Sequence, residues 1–297
     1  MDVLRAIGPP TLALFTVLIV DHLTRRRGLL PPAFGIPAAA ATQLVVSALL
    51  RRGVAMTVLW LVLWIGVFSP LGSVGLEQQI DLSNTSPIEL FLLHFLLVLC
   101  LMVWYVSGFV PRPAGDRREN FSWTSQLGLR TDSIARELAI GLVAGVGAWL
   151  VVIGALLAIA LTLWWLGGEE LLPKEPPKLI PWIAGLPVLV RLAISLSAGL
   201  VEETFFRGFL QPRVGLALST ALFVLAHASY EQPLMLVGVT LLSVIYGGLV
   251  YWRQNLWPAI TAHALFDAVQ LLLVIPAVLR VLPEEGGEVA LRVLGLI

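Results

Sequence analysis

Runs of about 20 apolar residues recur along most of this chain, and they constrain its fold more than any other feature. A run of that length is what an α-helix needs to cross the hydrocarbon core of a bilayer, which takes about 20 residues. Of the 297 residues, 58% are hydrophobic and 13% are charged, whereas soluble domains carry about 25% charged residues. The sequence therefore predicts an all-α, polytopic integral membrane protein, a helical bundle embedded in the lipid bilayer.

Nine candidate membrane segments can be delimited from the apolar runs. They are Val3–Val20, Leu29–Leu50, Val54–Leu76, Ile88–Val110, Leu138–Leu166, Ile180–Leu200, Val214–Ala228, Leu234–Trp252 and Trp257–Leu279. Pro31, Pro32 and Pro37 interrupt the second segment, and proline removes a backbone donor and breaks helices. We therefore expect about eight transmembrane helices.

Arginines and acidic residues occupy alternating connections between these segments. The arginine-rich connections are Arg51-Arg52, residues 112–130, Arg207 to Arg213 and Arg253, and the acidic ones are residues 77–87, residues 167–181 and the turn at Glu231. Cytoplasmic loops carry an excess of Lys and Arg, so we expect the arginine loops, and the candidate site near them, toward the cytoplasm. Arg25–Arg27 violate the pattern if both flanking segments span. Lysine is nearly absent and arginine supplies almost all of the positive charge. This bias is typical of a GC-rich genome and favours a prokaryotic cell membrane.

Composition also excludes several classes of function. The formal net charge is zero, so no basic surface for nucleic acid is expected. Cys100 is the one cysteine, which excludes a disulfide framework or a cysteine-based metal site within the chain. No heptad array stands out, and the sequence assigns no oligomeric state.

The longest polar stretch, Pro111–Glu137, is the best internal boundary. It separates N-terminal membrane helices over residues 1–131, to which no role is assigned, from a membrane domain over residues 132–282. A polar C-terminal tail covers residues 283–297. Gly141-x-x-x-Gly145 has the small-residue spacing at which membrane helices pack closely, and we expect it to serve packing only.

Two adjacent glutamates, Glu202 and Glu203, follow an apolar run at a depth where ionisable groups are expensive. Membrane-insertion scales give a free-energy cost of roughly 2.5–3.5 kcal/mol for an Asp, Lys or Arg at a helix centre. Glu203 and Arg207 are spaced i,i+4, which places them on one helix face as an ion pair. Glu202 is rotated about 100° away, so we expect it to act as a general base and the Glu203–Arg207 pair to be structural. The alternative is that both glutamates cap the segment at the water interface.

Two later apolar segments each contain a histidine with a partner one helical turn away. Phe223-x-x-x-His227 places a ring and an imidazole on one face, and His263-x-x-x-Asp267 forms a second pair. Asp267 either orients the His263 ring through its Nδ1–H, or both side chains point at one substrate oxygen. Each histidine taken separately also fits packing or a structural pair. Three separate segments with ionisable groups at membrane depth favour a catalytic site.

Three further ionisable residues lie in or near apolar runs. His94 has no partner nearby in the sequence and is interpreted as packing. Asp21 lies where a helix is expected to end. Arg191 precedes Glu202 by three helical turns on roughly the same face and is a candidate for lining the same cavity.

The chain resembles a known family at three motifs: Glu202-Glu203-x-x-x-Arg207, Phe223-x-x-x-His227 and His263-x-x-x-Asp267. These look like the motifs of the CAAX protease and bacteriocin-processing family, which includes the type II CAAX prenyl endopeptidases and relatives once called abortive-infection proteins. The resemblance covers roughly residues 132–282. It implies an intramembrane, metalloprotease-like hydrolase that cleaves a membrane-associated protein or peptide. Glu202 and His227 would activate the attacking water, and His263 with Asp267 would hold the oxyanion.

Asp267 departs from the family pattern, in which this position is usually Asn. An ionised carboxylate cannot donate to an oxyanion, so Asp267 is either protonated or orients His263. Glu202, His227 and His263 are ligand types that zinc accepts, but no H-E-x-x-H helix occurs, and the resemblance favours a metal-free reaction. We expect no required cofactor, with these three residues as the ligands if zinc is bound.

Two other classes of function compete with a peptidase. A non-catalytic immunity or scaffold protein would use the same fold to bind a partner. A transporter would use the buried charges as a proton relay, but the chain lacks evident inverted repeats or paired broken helices.

Overall fold

The fold of the chain is helical throughout the residues that the structure describes. The computed structural model describes residues 2–30, 41–73, 86–108, 123–172, 179–230 and 232–281, and no strand occurs among them. Seven stretches in this part of the chain are long and apolar enough to cross a membrane. The predicted all-α, polytopic membrane bundle is therefore confirmed, while the tail over residues 283–297 lies outside the described residues.

Eight longer helices make up the described part of the bundle, and several continue through π-helical or 3-10 turns. They are α1 (Asp2–Arg26), α2 (Ala41–Leu63, continued by Trp64–Phe68 and Ser69–Ser73), α3 (Leu92–Ser107, preceded by Pro87–Phe91), α4 (Ile134–Trp165), α5 (Val188–Ser197, continued by Ala198–Glu202 and Thr204–Leu210), α6 (Gln211–Ala226), α7 (Pro233–Arg253) and α8 (Trp257–Val269, continued by Gln270–Val274 and Ile275–Val281).

A reversal at Gly215 divides the longest apolar stretch, the 43 residues of Val188–Tyr230. Gly215 has φ 85° and ψ 170°, a conformation that residues with a side chain rarely adopt. Beyond Gly215 the chain folds back on itself, which brings the Ser219 hydroxyl within hydrogen-bond distance of the Phe206 carbonyl, at 2.8 Å. The stretch therefore contains two antiparallel passes, and the described part of the bundle has eight apolar passes.

The second predicted segment, Leu29–Leu50, is not a separate helix. Residues 31–40 lie outside the described residues, and residues 41–50 belong to α2, which runs without a break through Arg51 and Arg52. The arginine pair was wrongly interpreted as a loop. It is accommodated in the helix because Arg52 bonds Asp21 of α1, with Nε 3.0 Å from Oδ1.

The antiparallel packing of α1 and α2 also explains Arg25–Arg27. Trp60 Nε1 donates to the Pro10 carbonyl at 2.9 Å, so the end of α1 lies beside the Arg52 region of α2. Arg27 reaches the Pro212 carbonyl at 2.6 Å. Arg25–Arg27 would face the opposite side only if both flanking segments spanned; because Leu29–Leu50 is not a separate helix, these arginines share one end of the bundle with Arg52.

Glycines on α4 and α5 allow both helices to approach α8 closely. A Cβ on Gly141 would lie 2.5 Å from Thr261 Cβ and 2.7 Å from the Pro258 carbonyl oxygen. A Cβ on Gly199 would lie 2.7 Å from the Ile260 carbonyl oxygen. The expectation that Gly141 and Gly145 serve helix packing is confirmed, and α8 is the helix against which they pack.

The largest buried apolar cluster joins the N-terminal helices to α5 and α6. Trp104 of α3 meets the ring of Phe209 edge-on at 5.0 Å between centroids. Leu59, Phe205 and Leu222 belong to the same cluster. Residues before and after position 131 therefore share one core, and the packing holds α3 against the part of α5 that carries the two glutamates.

Candidate active site

Three helices bring ionisable side chains together inside the bundle. Glu202 ends the first wide turn of α5, Glu203 lies between its two wide turns, and His227 directly follows α6. His263 and Asp267 lie one turn apart on α8. The close approach of α5 to α8 at Gly199 places these residues within reach of one another. π-Helical turns of the kind seen in α5 are frequent at functional sites.

Glu202 is held at one carboxylate oxygen and free at the other. Its Oε1 lies 3.2 Å from His94 Nε2, and the Glu202 and His94 side chains are 15% and 13% exposed. Its Oε2 is buried and has no hydrogen-bond partner among the described residues. Glu202 is also close enough to His227 and His263 for their charges to interact. The free oxygen is therefore the one available to a water molecule.

His227 has one ring nitrogen committed and the other available. Its Nδ1 lies 2.7 Å from the Phe223 carbonyl oxygen, and a carbonyl can only accept, so Nδ1 carries the proton. In the neutral ring Nε2 is then an acceptor. The ring packs against Phe223 at 4.6 Å and edge-on against Tyr230 at 5.4 Å between centroids. This arrangement makes Nε2 competent to take a proton from water.

Glu203 contacts two partners in the most deeply buried part of the site. Arg207 Nη1 lies 3.0 Å from Glu203 Oε1, with the two side chains 1% and 0% exposed. His263 Nδ1 lies 2.8 Å from the same oxygen. Arg207 also covers the Phe223 ring at 4.1 Å. The predicted i,i+4 pair is present, and it additionally fixes the imidazole of the third motif, which the spacing did not predict.

His263 presents its second nitrogen toward Asp267. The distance from Nε2 to Asp267 Oδ2 is 3.6 Å, which is longer than a hydrogen bond. Tyr246 of α7 stacks on the ring at 5.3 Å between centroids. Of the two predicted arrangements, the one in which Asp267 takes the Nδ1 proton is not found, because Glu203 occupies that nitrogen.

These side chains do not form a metal-binding group in the arrangement described. Among the described residues, no set of three or more His, Cys, Asp or Glu side chains is placed to hold a metal ion. Glu202, His227 and His263, the predicted zinc ligands, thus do not fit a three-ligand site here.

Two further ionisable residues noted in the sequence have partners other than the clustered side chains, and one residue was misinterpreted. Asp21 pairs with Arg52 at the end of α1, and Arg191 Nη1 donates to the Leu271 carbonyl at 2.8 Å. His94, interpreted as packing, instead contacts Glu202. The contact joins residues 108 positions apart, so no local spacing could indicate it.

Comparison with known proteins agrees with the three motifs. Residues 184–269 match the model of a family described as type II CAAX prenyl endopeptidase Rce1-like. The chain is also 35% identical over 91 residues to YpbD, an uncharacterized protein of Bacillus subtilis (strain 168). The aligned region covers 30% of this chain and 44% of that protein. The chain thus spans less than half the length of this relative. No solved structure matches. The resemblance to the CAAX protease family is confirmed over the residues that carry Glu202, His227, His263 and Asp267.

Proposed function

We propose that this chain is an intramembrane endopeptidase that hydrolyses a peptide bond of a membrane-associated protein or peptide. One observation carries the proposal: a carboxylate with a free oxygen and an imidazole with a free Nε2, Glu202 and His227, share one partly buried cluster. Ionisable groups inside a membrane are expensive and usually functional. The match of residues 184–269 to a prenyl endopeptidase family supports peptide-bond hydrolysis as that function.

In the proposed reaction, Glu202 and His227 activate a water molecule. The water loses a proton to this pair while its oxygen attacks the carbonyl carbon of the scissile peptide. The tetrahedral intermediate collapses when the C–N bond breaks and the proton passes to the departing nitrogen. A carboxylic acid and an amine result, and the pair returns to its starting state.

His263 is proposed to stabilise the oxyanion of that intermediate. Its Nδ1 is held by Glu203, which leaves Nε2 as the nitrogen that can reach substrate. The 3.6 Å separation from Asp267 means that this nitrogen is not committed to the carboxylate. An ionised Asp267 would repel an oxyanion, so we propose that Asp267 contributes by positioning the His263 ring or by donating in its protonated form.

We propose that the reaction needs no metal and that the substrate approaches from the cytoplasm. Glu202 lies about midway between Val188, where α5 begins, and the turn at Gly215. The end of the bundle at which Arg27 meets Pro212 is rich in arginine, and the positive-inside rule assigns such an end to the cytoplasm. A prokaryotic cell membrane stays a prediction from composition.

The proposal is tested by comparing peptide termini in membranes that contain the intact chain or Glu202→Gln at equal levels. Mass spectrometry of N-termini should find new termini only with the intact chain, which would also identify the substrate. Glu170→Gln is the matched control, because Glu170 is exposed outside the cluster, and it should cut normally. Identical termini with intact chain and Glu202→Gln would contradict proteolysis and favour a non-catalytic immunity or scaffold protein.

A further inference from the structure

His94 is an ionisable side chain in an otherwise strongly apolar helix. It lies on α3, outside residues 184–269 that match the endopeptidase family. Its side chain is 13% exposed, and the edge of the Phe91 ring packs against it at 6.3 Å between centroids. A polar group at this depth requires a partner.

The partner is the free member of the glutamate pair. Glu203 is bonded to Arg207 and to His263, whereas Glu202 forms a hydrogen bond with the His94 ring. A carboxylate oxygen accepts, so the proton of this hydrogen bond is on His94 Nε2, 3.2 Å from Oε1. The Nδ1 of His94 is buried and has no partner among the described residues. The ring thus makes one committed polar contact in the described part of the chain, to Glu202.

We propose that His94 is a positioning residue for Glu202, a role that rests on the proposed peptidase function. By holding Oε1, it leaves Oε2 as the oxygen that meets the water and restrains the flexible glutamate side chain in one orientation. A reacting group misplaced by about 1 Å can lose roughly a hundredfold in rate.

The proposal gives the N-terminal helices a part in the chemistry. The shared core, with Trp104 of α3 packed on Phe209 of α5, sets the position of α3 relative to Glu202. Since His94 contacts Glu202 and not the histidine that shares the water, its loss should lower turnover more than substrate binding. A merely structural histidine would instead change protein stability and leave the turnover of the folded fraction unchanged.

The contact itself can be tested without any cleavage assay. The chain has four histidines, so imidazole ¹⁵N NMR of the histidine-labelled protein in detergent gives few enough signals to assign by substitution. Glu202→Gln should shift the Nε2 signal of His94 and leave that of His22, exposed on α1, unchanged. A His94 signal that ignores Glu202→Gln would overturn the contact.

The role is tested with a peptide that spans a cleavage site found with the intact chain. His94→Leu should lower kcat by roughly 10- to 100-fold with little change in KM. His94→Gln keeps an N–H donor and should restore most of the lost turnover, while His22→Leu, the matched control, should match the intact chain. Thermal unfolding of each variant normalises the rates to folded protein.

The outcomes separate this inference from the proposed function. Cleavage by His94→Leu at the intact rate, or an equal loss in His94→Gln, would overturn the positioning role. If Glu202→Gln itself cleaves normally, the peptidase proposal fails and the role of His94 in it fails as well, while the NMR measurement still reports whether the two side chains touch.

Discussion

Replacing Gly141 by alanine should weaken the packing of α4 on α8, the helix that carries His263. A Cβ at this position would lie 2.5 Å from Thr261 Cβ, 2.7 Å from the Pro258 carbonyl oxygen and 3.0 Å from the Pro258 Cα. Optimal carbon–carbon contacts are about 3.5–4.0 Å. Two of these three atoms are backbone, so the steric clash is relieved only if the two helices separate. Lengthening the shortest contact, 2.5 Å, to the optimal range requires a separation of about 1 Å.

Gly147 provides the matched control because it lies on the same helix and faces open space. A Cβ there meets no atom within 4 Å. Both substitutions gain the same helix propensity, up to about 1 kcal/mol, so this gain cancels in the comparison. What remains is the cost of overpacking, typically about 1–3 kcal/mol. Gly141→Ala should therefore be less stable than Gly147→Ala by about 1–3 kcal/mol.

Denaturant unfolding of both variants in the same detergent measures this difference. The separation of α4 and α8 should also displace His263 relative to Glu202, so the cleavage rate of the Gly141→Ala variant should fall while that of Gly147→Ala should not. Equal stability and equal cleavage in the two variants would refute the reasoning, because the close approach at Gly141 would then not constrain α8.

Three further predictions address the ion pair, the metal and the topology. Arg207→Ala leaves Glu203 buried with less compensation and should cost about 3–5 kcal/mol of unfolding free energy; adding Glu203→Gln should recover part of that loss, and a double variant as unstable as the single one would contradict it. Dialysis against a chelator should leave cleavage unchanged, and a loss restored by zinc would show that a metal is needed. In a Cys100→Ala background, a membrane-impermeant maleimide should label the Glu170→Cys variant on intact cells but not the Arg26→Cys variant. The opposite labelling pattern would show that the chain has the opposite orientation in the membrane.

The parts of the site that the sequence predicted are those that depend on local spacing. Glu203 and Arg207, and likewise His263 and Asp267, are four residues apart, and a helical turn brings such residues together wherever the helix lies. The three motifs converge because each lies in an apolar helix whose charged residues are best placed in the bundle interior. The fold class follows from the same apolar runs, since a helix satisfies its backbone polar groups within lipid.

The errors arise where a tertiary partner outweighs a local rule. The two adjacent positive charges of Arg51 and Arg52 suggest a loop between membrane segments. Asp21 of a neighbouring helix pairs with Arg52, however, and allows α2 to continue. His94 suggests packing because no polar residue lies within a helical turn of it, and its partner is 108 positions away. Neither partner has a sequence spacing from which it could be found.

Glu203 shows why a division into structural and catalytic residues is too simple for this site. The sequence assigned it to Arg207, yet the same oxygen also binds His263 Nδ1 at 2.8 Å. The ion pair therefore sets which nitrogen of His263 is left for substrate. Its neighbour Glu202 is oriented by His94 in a similar way, so Glu202 and His263 are each held by a side chain from another helix. Such an arrangement depends on several helix contacts at once, and it links the packing at Gly141 to the proposed chemistry at Glu202.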